Sequence, residues 1–193
     1  RHAVQIGRHN DFAIYDEADQ RAVIRKVTAD LLLNDEQYPA ARLLGAIDRA
    51  KNDGQRPSDL QRAAADPVSR ILAAVYERYQ AGLAANNALD FGDLLLCLVE
   101  LLQSEPAVLE RYQEQFQYLM VDEYQDTNRV QYQLMRLIGS AHRNVCVVGD
   151  DDQSIYRWRG ADLRNILDFE SDFPGARVLR LEQNYRSSNN ILA

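Results

Sequence analysis

The sequence is poor in lysine and cysteine and has no long apolar segment. Lysine occurs only at Lys26 and Lys51, so arginine supplies almost all of the 22 basic residues, a bias that by itself indicates no function. Because no run of about 18 apolar residues occurs, the sequence predicts no membrane-spanning helix. The opening Arg1-His2-Ala3-Val4 leads into no apolar stretch, unlike a signal peptide. Since the first residue is not methionine, we expect the chain to be an internal segment of a longer protein.

The few cysteines and histidines form no metal-binding pattern. Cys97 and Cys146 each lie in an apolar run without a CxxC partner. This predicts buried thiols in a cytoplasmic protein, where conditions are reducing, rather than a disulfide or a metal site.

The net charge of −7 argues against a protein that coats nucleic acid, although a local groove on an acidic protein can still be positive.

The spacing of apolar residues divides the chain near Asn87. Everything upstream has helical periodicity, except that residues 52–66 predict a loop with at most a short turn of helix. The helices predicted across the first part of the chain start near Asp16, Pro39, Pro67, Phe91 and Pro106.

From Tyr118 onwards the pattern becomes that of an α/β protein. Three short apolar runs alternate with helical segments; these runs are Tyr118–Val121, Asn144–Val148 and Arg177–Leu181. Continuous apolar strands are typical of a parallel sheet covered on both faces, so we predict a doubly wound sheet. Ligands bind beyond the carboxyl ends of such strands. This architecture therefore indicates Asp122, Glu123 and Asp150 as candidate site residues.

The segment Leu119-Met120-Val121-Asp122-Glu123 has the arrangement of a Walker B strand. In P-loop NTPases the aspartate holds the Mg²⁺ of the nucleotide, and the glutamate polarises the water that attacks the γ-phosphate. Taken alone, Val-Asp-Glu is more often the end of a strand followed by a solvated acidic turn.

A second candidate segment follows the next predicted strand. Gln153 lies a short loop beyond that strand, where its amide is placed to reach a phosphate at the sheet edge. Tyr156 and Trp158 alternate with Arg157 and Arg159. This pattern suits single-stranded nucleic acid, because bases stack on rings while arginines meet phosphates. On spacing alone, core aromatics are an equal alternative.

Several segments resemble motifs of the UvrD/Rep/PcrA-type DNA helicases. Residues 122–128 resemble motif II, residues 149–161 motif III and residues 181–188 motif IV, in the family's order. Upstream, residues 12–16 and 88–95 look like the start of the family's helical insertion and the segment returning from it. The resemblance implies an α/β fold in which a partial RecA-like P-loop NTPase parallel sheet carries an all-helical inserted subdomain.

The resemblance also implies roles on the nucleotide side, with ATP and Mg²⁺ as cofactors. Asp122 and Glu123 become the metal-site acids and catalytic residues, and Gln153 the sensor of the γ-phosphate. Arg186 becomes the arginine finger, since a planar guanidinium suits a transferring phosphoryl group, and Tyr185 packs against the adenine. The alternative for Arg186 is an ordinary surface ion pair.

On the DNA side, the resemblance implies that Tyr156 and Trp158 stack on bases, with Arg159 beside them. The implied activity is ATP-driven 3′-to-5′ translocation and unwinding, in repair or replication. The implied partners are single-stranded DNA and junctions of single- and double-stranded DNA, with no membrane. A loop contacting both ligands would couple hydrolysis to strand movement.

One position departs from the family pattern. In Asp90-Phe91-Gly92-Asp93, the family often carries an acidic residue where this chain has Gly92, which leaves any role of Asp93 open. The likeness of Asp90-Phe91-Gly92 to a protein-kinase motif is coincidental, because no glycine-rich loop precedes it.

The family layout predicts four parts: residues 1–13 close the first segment of the first motor domain, 14–88 form the helical insertion, 89–176 form the later half of that domain, and 177–193 lead into the second motor domain.

The sequence has no P-loop. A P-loop needs Gly-x-x-x-x-Gly-Lys-Ser/Thr, and no Gly-Lys dipeptide occurs. We therefore expect the chain alone not to hydrolyse ATP, and its incomplete sheet to leave an edge liable to self-association. Two other functions remain open: a non-catalytic nucleic-acid-binding or scaffolding module, and part of a helicase–nuclease fusion.

Overall fold

The computed structural model describes residues 2–155, 161–162, 164–167, 169–183 and 185. Their helices are α1 Glu17–Asp30, α2 Ala40–Asn52, α3 Pro57–Ala63, α4 Pro67–Ala85, α5 Phe91–Ser104, α6 Pro106–Gln115, α7 Arg129–Gly139, α8 Arg164–Leu167 and α9 Phe169–Asp172. Their strands are β1 Ala13–Ile14, β2 Ala88–Leu89, β3 Leu119–Val121 and β4 Val145–Val147, and 3₁₀ helices span Ala3–Ile6, Tyr124–Asp126 and Asp151–Gln153. Among the described helices, none has the length and apolarity needed to cross a bilayer.

The predicted helix starts are confirmed, and side-chain caps explain several of them. The Asp16 carboxylate accepts a hydrogen bond from the Asp19 backbone N–H at 3.0 Å, and Asp66 and Asp90 cap α4 and α5 in the same way. Each cap satisfies a backbone donor that the first helical turn leaves unpaired. Pro39 is itself the N-cap of α2. The short helix expected between residues 52 and 66 is α3.

Two small parallel sheets organise the chain. β1 pairs with β2 in the register Ala13↔Ala88 and Ile14↔Leu89, which joins the two ends of the α1–α4 segment. β3 pairs with β4 from Leu119↔Val145 to Val121↔Val147. The predicted mixed α/β class is therefore confirmed, although the prediction that everything before Asn87 is helical missed β1.

The core of the first part is formed by α1, α2 and α4, with buried Ile24, Ile47, Val75, Tyr76 and Leu83 at its centre. α5 packs against α7 and α6 through separate apolar clusters that include Leu96, Val99, Leu102 and Val130. α5 also contacts α2, so it connects the α1–α4 segment with α6 and α7.

A buried ion cluster joins α2 and α4 to the start of α5. Lys51 Nζ lies 2.8 Å from Asp93 Oδ1, and it also pairs with Asp90. The Tyr79 hydroxyl donates to Asp90 Oδ2 at 2.7 Å, and Gln80 Nε2 donates to Asp93 Oδ1 at 2.9 Å. Burial, followed by the neighbouring carboxylate of Asp90, raises the pKa of the Tyr79 hydroxyl far above its ordinary value. The sequence left the role of Asp93 open. In the structure, Asp93 holds α2 and α4 to the start of α5.

Two sequence predictions are wrong. Residues 177–181 are not a strand, and Leu179 and Leu181 lie 80% and 92% exposed. A strand needs a neighbour for its backbone groups, and pairing among the described residues is confined to β1–β2 and β3–β4. Cys97 is buried as predicted, whereas Cys146 is exposed. Cys146 lies opposite Met120, which is also exposed, so this face of the β3–β4 pair is uncovered.

Candidate active site

The carboxyl ends of β3 and β4 lie side by side. The Val148 N–H donates to the Val121 carbonyl at 2.8 Å, and the Tyr124 N–H donates to the Val148 carbonyl at 2.9 Å. These bonds carry the pairing one step beyond the strands themselves. Asp122 and Glu123 therefore leave the sheet at the same edge as the residues that follow β4.

Asp122 and Glu123 are both exposed at this edge. Glu123 has a left-handed backbone with φ of 51°, which is uncommon for a residue with a side chain. Its N–H donates to Asp122 Oδ1 at 2.9 Å, which stabilises the sharp turn after the strand. Both carboxylates line a cavity of about 340 Å³ that Asp126 and Gln131 also border.

Gln125 connects this acidic turn to the segment after β4. Its side chain is 1% exposed, in the 3₁₀ helix Tyr124–Asp126. Its Nε2 donates to Glu123 Oε2 at 2.7 Å, and its Oε1 accepts from the Asp150 N–H at 3.1 Å. A single buried amide therefore holds both segments.

Gly149 leaves room for that amide. A Cβ at this position would lie 2.7 Å from Gln125 Oε1 and 2.9 Å from Ile166 Cδ1. Both distances are shorter than real Cβ contacts, so a larger residue at this position would displace the Gln125 amide and the end of the Ile166 side chain.

Gln153 lies at the end of the 3₁₀ helix Asp151–Gln153, which Asp150 caps. Asp150 Oδ1 accepts from the Asp152 N–H at 3.1 Å, and its Oδ2 accepts from Gln153 Nε2 at 2.5 Å. The structure therefore connects the predicted residues Glu123 and Gln153 through Gln125 and Asp150.

Contacts at Thr127 and Asn128 fix the far side of the turn. Asn165 on α8 is buried, and its Nδ2 donates to the carbonyl of Thr127 at 3.0 Å. Asn128 caps α7 by accepting from the Gln131 N–H at 2.9 Å. The turn that carries Glu123 is thus held by the chain on both sides of it.

A larger cleft of about 990 Å³ opens beside Glu123. Its walls come from α1, α2, the start of α5 and the motif II turn, and they include Glu17, Asp48, Arg49, Phe91, Glu123 and Asp126. Phe91 is 64% exposed although it begins a helix whose other apolar side chains are largely buried. Burial, followed by the charge of Asp90, raises the pKa of Asp48 to about 6.

Sequence reasoning gave no role to Gln125 or Phe91. Phe91 had a readable signal, since an aromatic residue directly after the capping Asp90 stands at the first helical position, outside the buried stripe of α5. Gln125 had no such signal in the sequence, because its burial depends on the position of the residues that follow β4.

Five further predicted residues remain. Tyr156, Trp158, Arg159 and Arg186 lie outside the described residues. Tyr185 is described and is 91% exposed.

Comparison with known proteins gives one family. The profile described as UvrD/REP helicase N-terminal domain matches residues 1–174. A protein of Staphylococcus aureus strain Mu50 named ATP-dependent DNA helicase PcrA is 48% identical over 192 residues, which are 100% of this chain and 26% of that protein. A protein of Staphylococcus epidermidis with the same name is 47% identical over 192 residues, again 100% of this chain and 26% of that protein. The chain therefore spans about a quarter of the length of these relatives. Because the profile of the family's N-terminal domain covers residues 1–174, the chain belongs to the UvrD/REP helicase family.

Proposed function

We propose that this chain supplies the acidic side of the ATP site, and part of the DNA-contacting surface, of an ATP-dependent DNA helicase. The observation that carries the proposal is the placement of Asp122 and Glu123 at the carboxyl end of β3, linked through Gln125 and Asp150 to Gln153. In open α/β sheets this edge is where nucleotides bind. The names of the relatives, ATP-dependent DNA helicases, support the same activity.

The donor set fits a magnesium ion. Asp122 and Glu123 offer exposed carboxylate oxygens beside a cavity, and hard oxygen ligands are those that Mg²⁺ takes. Bound with ATP, the ion neutralises charge on the phosphates. Asp122 would hold it, Glu123 would orient and deprotonate the attacking water, and Gln153 would bond the γ-phosphate.

The remaining nucleotide contacts rest on the family resemblance. Arg186 would stabilise charge on the transferring phosphoryl group, and Tyr185 would pack on the adenine. The 91% exposure of Tyr185 leaves its ring open for such a contact.

Single-stranded DNA is the proposed polymer substrate, with junctions to duplex DNA and 3′-to-5′ movement. Tyr156 and Trp158 would stack on bases, with Arg159 on phosphate. The exposed Phe91 offers a further ring, because an aromatic face open to solvent is a platform for any base.

The proposed layout places the helical insertion at residues 14–88, between 1–13 and the later half of a RecA-like motor domain at 89–176, with 177–193 leading into the second motor domain. The pairing of β1 with β2 supports the two insertion boundaries, since it brings Ile14 and Leu89 together. The family profile ends at residue 174, which supports the third boundary, between residues 176 and 177.

The test uses the full-length gene product, because this chain has no Gly-Lys-Ser/Thr sequence. Glu123→Gln is expected to lower DNA-stimulated ATP turnover by about 100-fold or more while ATP binding persists, because the variant keeps its shape and loses a base. DNA binding by a full-length protein that hydrolyses no ATP would favour the non-catalytic module instead.

A further inference from the structure

The proposed function includes the link through Gln125 but gives the Gln125 amide no task of its own in the reaction. This amide is buried, it donates to a carboxylate oxygen of Glu123 at 2.7 Å, and it accepts from the backbone of Asp150 at 3.1 Å. Buried polar groups are costly unless they are bonded, so an amide with both ends used is firmly held.

The chemistry of the two partners selects glutamine. Glu123 presents an acceptor and Asp150 presents an N–H donor, so the residue between them needs a donor at one end and an acceptor at the other. An ionised glutamate could not donate to Glu123. Methionine has a similar length but makes neither strong hydrogen bond, and asparagine is shorter by one methylene group. The register of β3 against β4 sets the span that the side chain crosses.

Glu123 needs such a partner. Its side chain is exposed and its backbone is left-handed, and residues in that region keep their conformation only where their surroundings impose it. The bond from Gln125 fixes one of its two carboxylate oxygens. The side chain then loses rotational freedom before any reaction begins.

Gly149 provides independent support. Its missing side chain is what lets Gln125 Oε1 approach, since a Cβ there would lie 2.7 Å away. The segment after β4 is therefore shaped around this amide.

The bonds continue past Gln125. Asp150, held by its N–H, binds the Gln153 amide with its own carboxylate at 2.5 Å. The order is Glu123, Gln125, Asp150 and Gln153, one hydrogen bond per step.

We infer that Gln125 is a positioning residue: it aims the carboxylate of Glu123 at the attacking water and ties that carboxylate to the segment that carries Gln153. The inference rests on the proposed function of Glu123 as the base. Gln125 acts through Glu123, so its loss slows the chemical step and leaves nucleotide binding in place.

The experiment measures DNA-stimulated ATP hydrolysis by the full-length protein with Gln125→Met, which removes both bonds at similar volume. We expect kcat to fall about 10- to 100-fold, as for other residues that orient a catalytic group, while KM for ATP stays within about threefold. Gln113→Met is the matched control. The Gln113 Nε2 donates to the Leu137 carbonyl at 2.8 Å, at the contact between α6 and α7. The kcat of the Gln113→Met variant should equal that of the wild type.

Gln125→Glu is the second variant, and it carries the test if Gln125→Met does not fold. It keeps the acceptor for Asp150 and loses the donor to Glu123, so we expect the same fall in kcat. In the double variant with Glu123→Gln, the Gln125 substitution should add less than about twofold, because residues that act through one group are not additive.

Wild-type kcat in the Gln125 variants, beside an inactive Glu123→Gln, would overturn this inference and leave the proposed function standing. A loss confined to KM, or fully multiplicative losses in the double variant, would also overturn it. Full turnover by Glu123→Gln would remove the proposed role of Glu123, and the inference with it.

Discussion

Lys51 and Asp90 form an ion pair in which Nζ lies 2.5 Å from Oδ2 and neither side chain is more than 1% exposed. Lys51 is one of only two lysines in the chain, and it also neutralises Asp93. A buried pair of this kind adds little net stability over an apolar replacement of both partners, but removal of one partner leaves an unpaired charge. The cluster therefore makes the junction of α2, α4 and α5 sensitive to single substitutions.

Lys51→Met is expected to lower the free energy of unfolding by about 3–5 kcal/mol. It leaves the buried Asp90 carboxylate without its lysine, and it leaves Asp93 with only the Arg56 guanidinium, whose Nη1 lies 4.0 Å away. Urea denaturation followed by circular dichroism measures the change. The exposed Lys26 supplies the matched control, since Lys26→Met should stay within about 0.5 kcal/mol of the wild type. Equal losses from both substitutions would contradict the buried-pair explanation.

Asp48→Asn is expected to stabilise the chain at neutral pH. The pKa of Asp48 is raised to about 6 by burial and by Asp90, so the folded chain binds this proton more tightly than the unfolded chain does. Its favourable contribution is complete below the unfolded pKa of 3.8 and is lost as the pH rises through about 6. The free energy of unfolding of the variant should therefore exceed that of the wild type by about 1–2 kcal/mol at pH 7.5, and by almost nothing at about pH 3.

Urea titrations at the two pH values measure this difference. Glu114→Gln, at an exposed position on α6, should show no comparable pH-dependent gain. A gain for Asp48→Asn that is as large in acid as at neutral pH would contradict the assignment.

Gly149→Ala is expected to destabilise the chain by about 1–3 kcal/mol, because the added methyl group overlaps Gln125 Oε1 and Ile166 Cδ1. At Gly45, inside α2, the nearest atom to an added Cβ is Arg49 Nη1 at 3.7 Å, so Gly45→Ala should be neutral or stabilising by up to about 1 kcal/mol. Thermal unfolding of the two variants gives the comparison. An unchanged melting temperature for Gly149→Ala would show that Gln125 has more space than the structure gives it.

Phe91→Ala is expected to weaken binding of single-stranded DNA without loss of stability. A stacked base contributes about 1–3 kcal/mol, which corresponds to a fall in affinity of about fivefold or more. Fluorescence anisotropy of a labelled oligothymidine with the full-length protein, at one fixed salt concentration, measures it. Val68→Ala, which removes a 57% exposed side chain from α4, is the control. Equal affinity of Phe91→Ala and the wild type would remove Phe91 from the proposed DNA surface.

The chain by itself is expected to release no phosphate from ATP, with or without DNA, because it has no Gly-Lys-Ser/Thr sequence. A phosphate-release assay of the purified chain is the measurement. Glu123→Gln separates contaminants from real activity, since a contaminating ATPase is indifferent to that substitution. DNA-stimulated hydrolysis that Glu123→Gln abolishes would contradict the expectation.

Local features of this fold were predictable from the sequence. Caps such as Asp16 and Asp66 act on backbone donors only two or three residues away, so the starts of α1 and α4 follow from nearby residues alone. The two strands β3 and β4 were readable because each is a short apolar run bounded by polar residues.

Features that depend on distant partners were not predictable. Residues 177–181 have the composition of a strand, but no strand among the described residues pairs with them. The pairing of β1 with β2 joins positions that are 75 residues apart (88 − 13). Burial of Gln125 likewise depends on the end of β4, so motif II indicated the acids but not the residue that holds them.

The exposure of Cys146 has a practical consequence for measuring motion in this protein. Cys97 is buried, and burial raises the pKa of its thiol, so a maleimide dye should react first with Cys146. That thiol lies on β4, three residues before Gly149. A fluorophore attached there would sit on the strand that leads to the proposed nucleotide edge. Cys146 is thus a labelling position beside the proposed nucleotide edge, and the use of it requires no introduced cysteine in this chain.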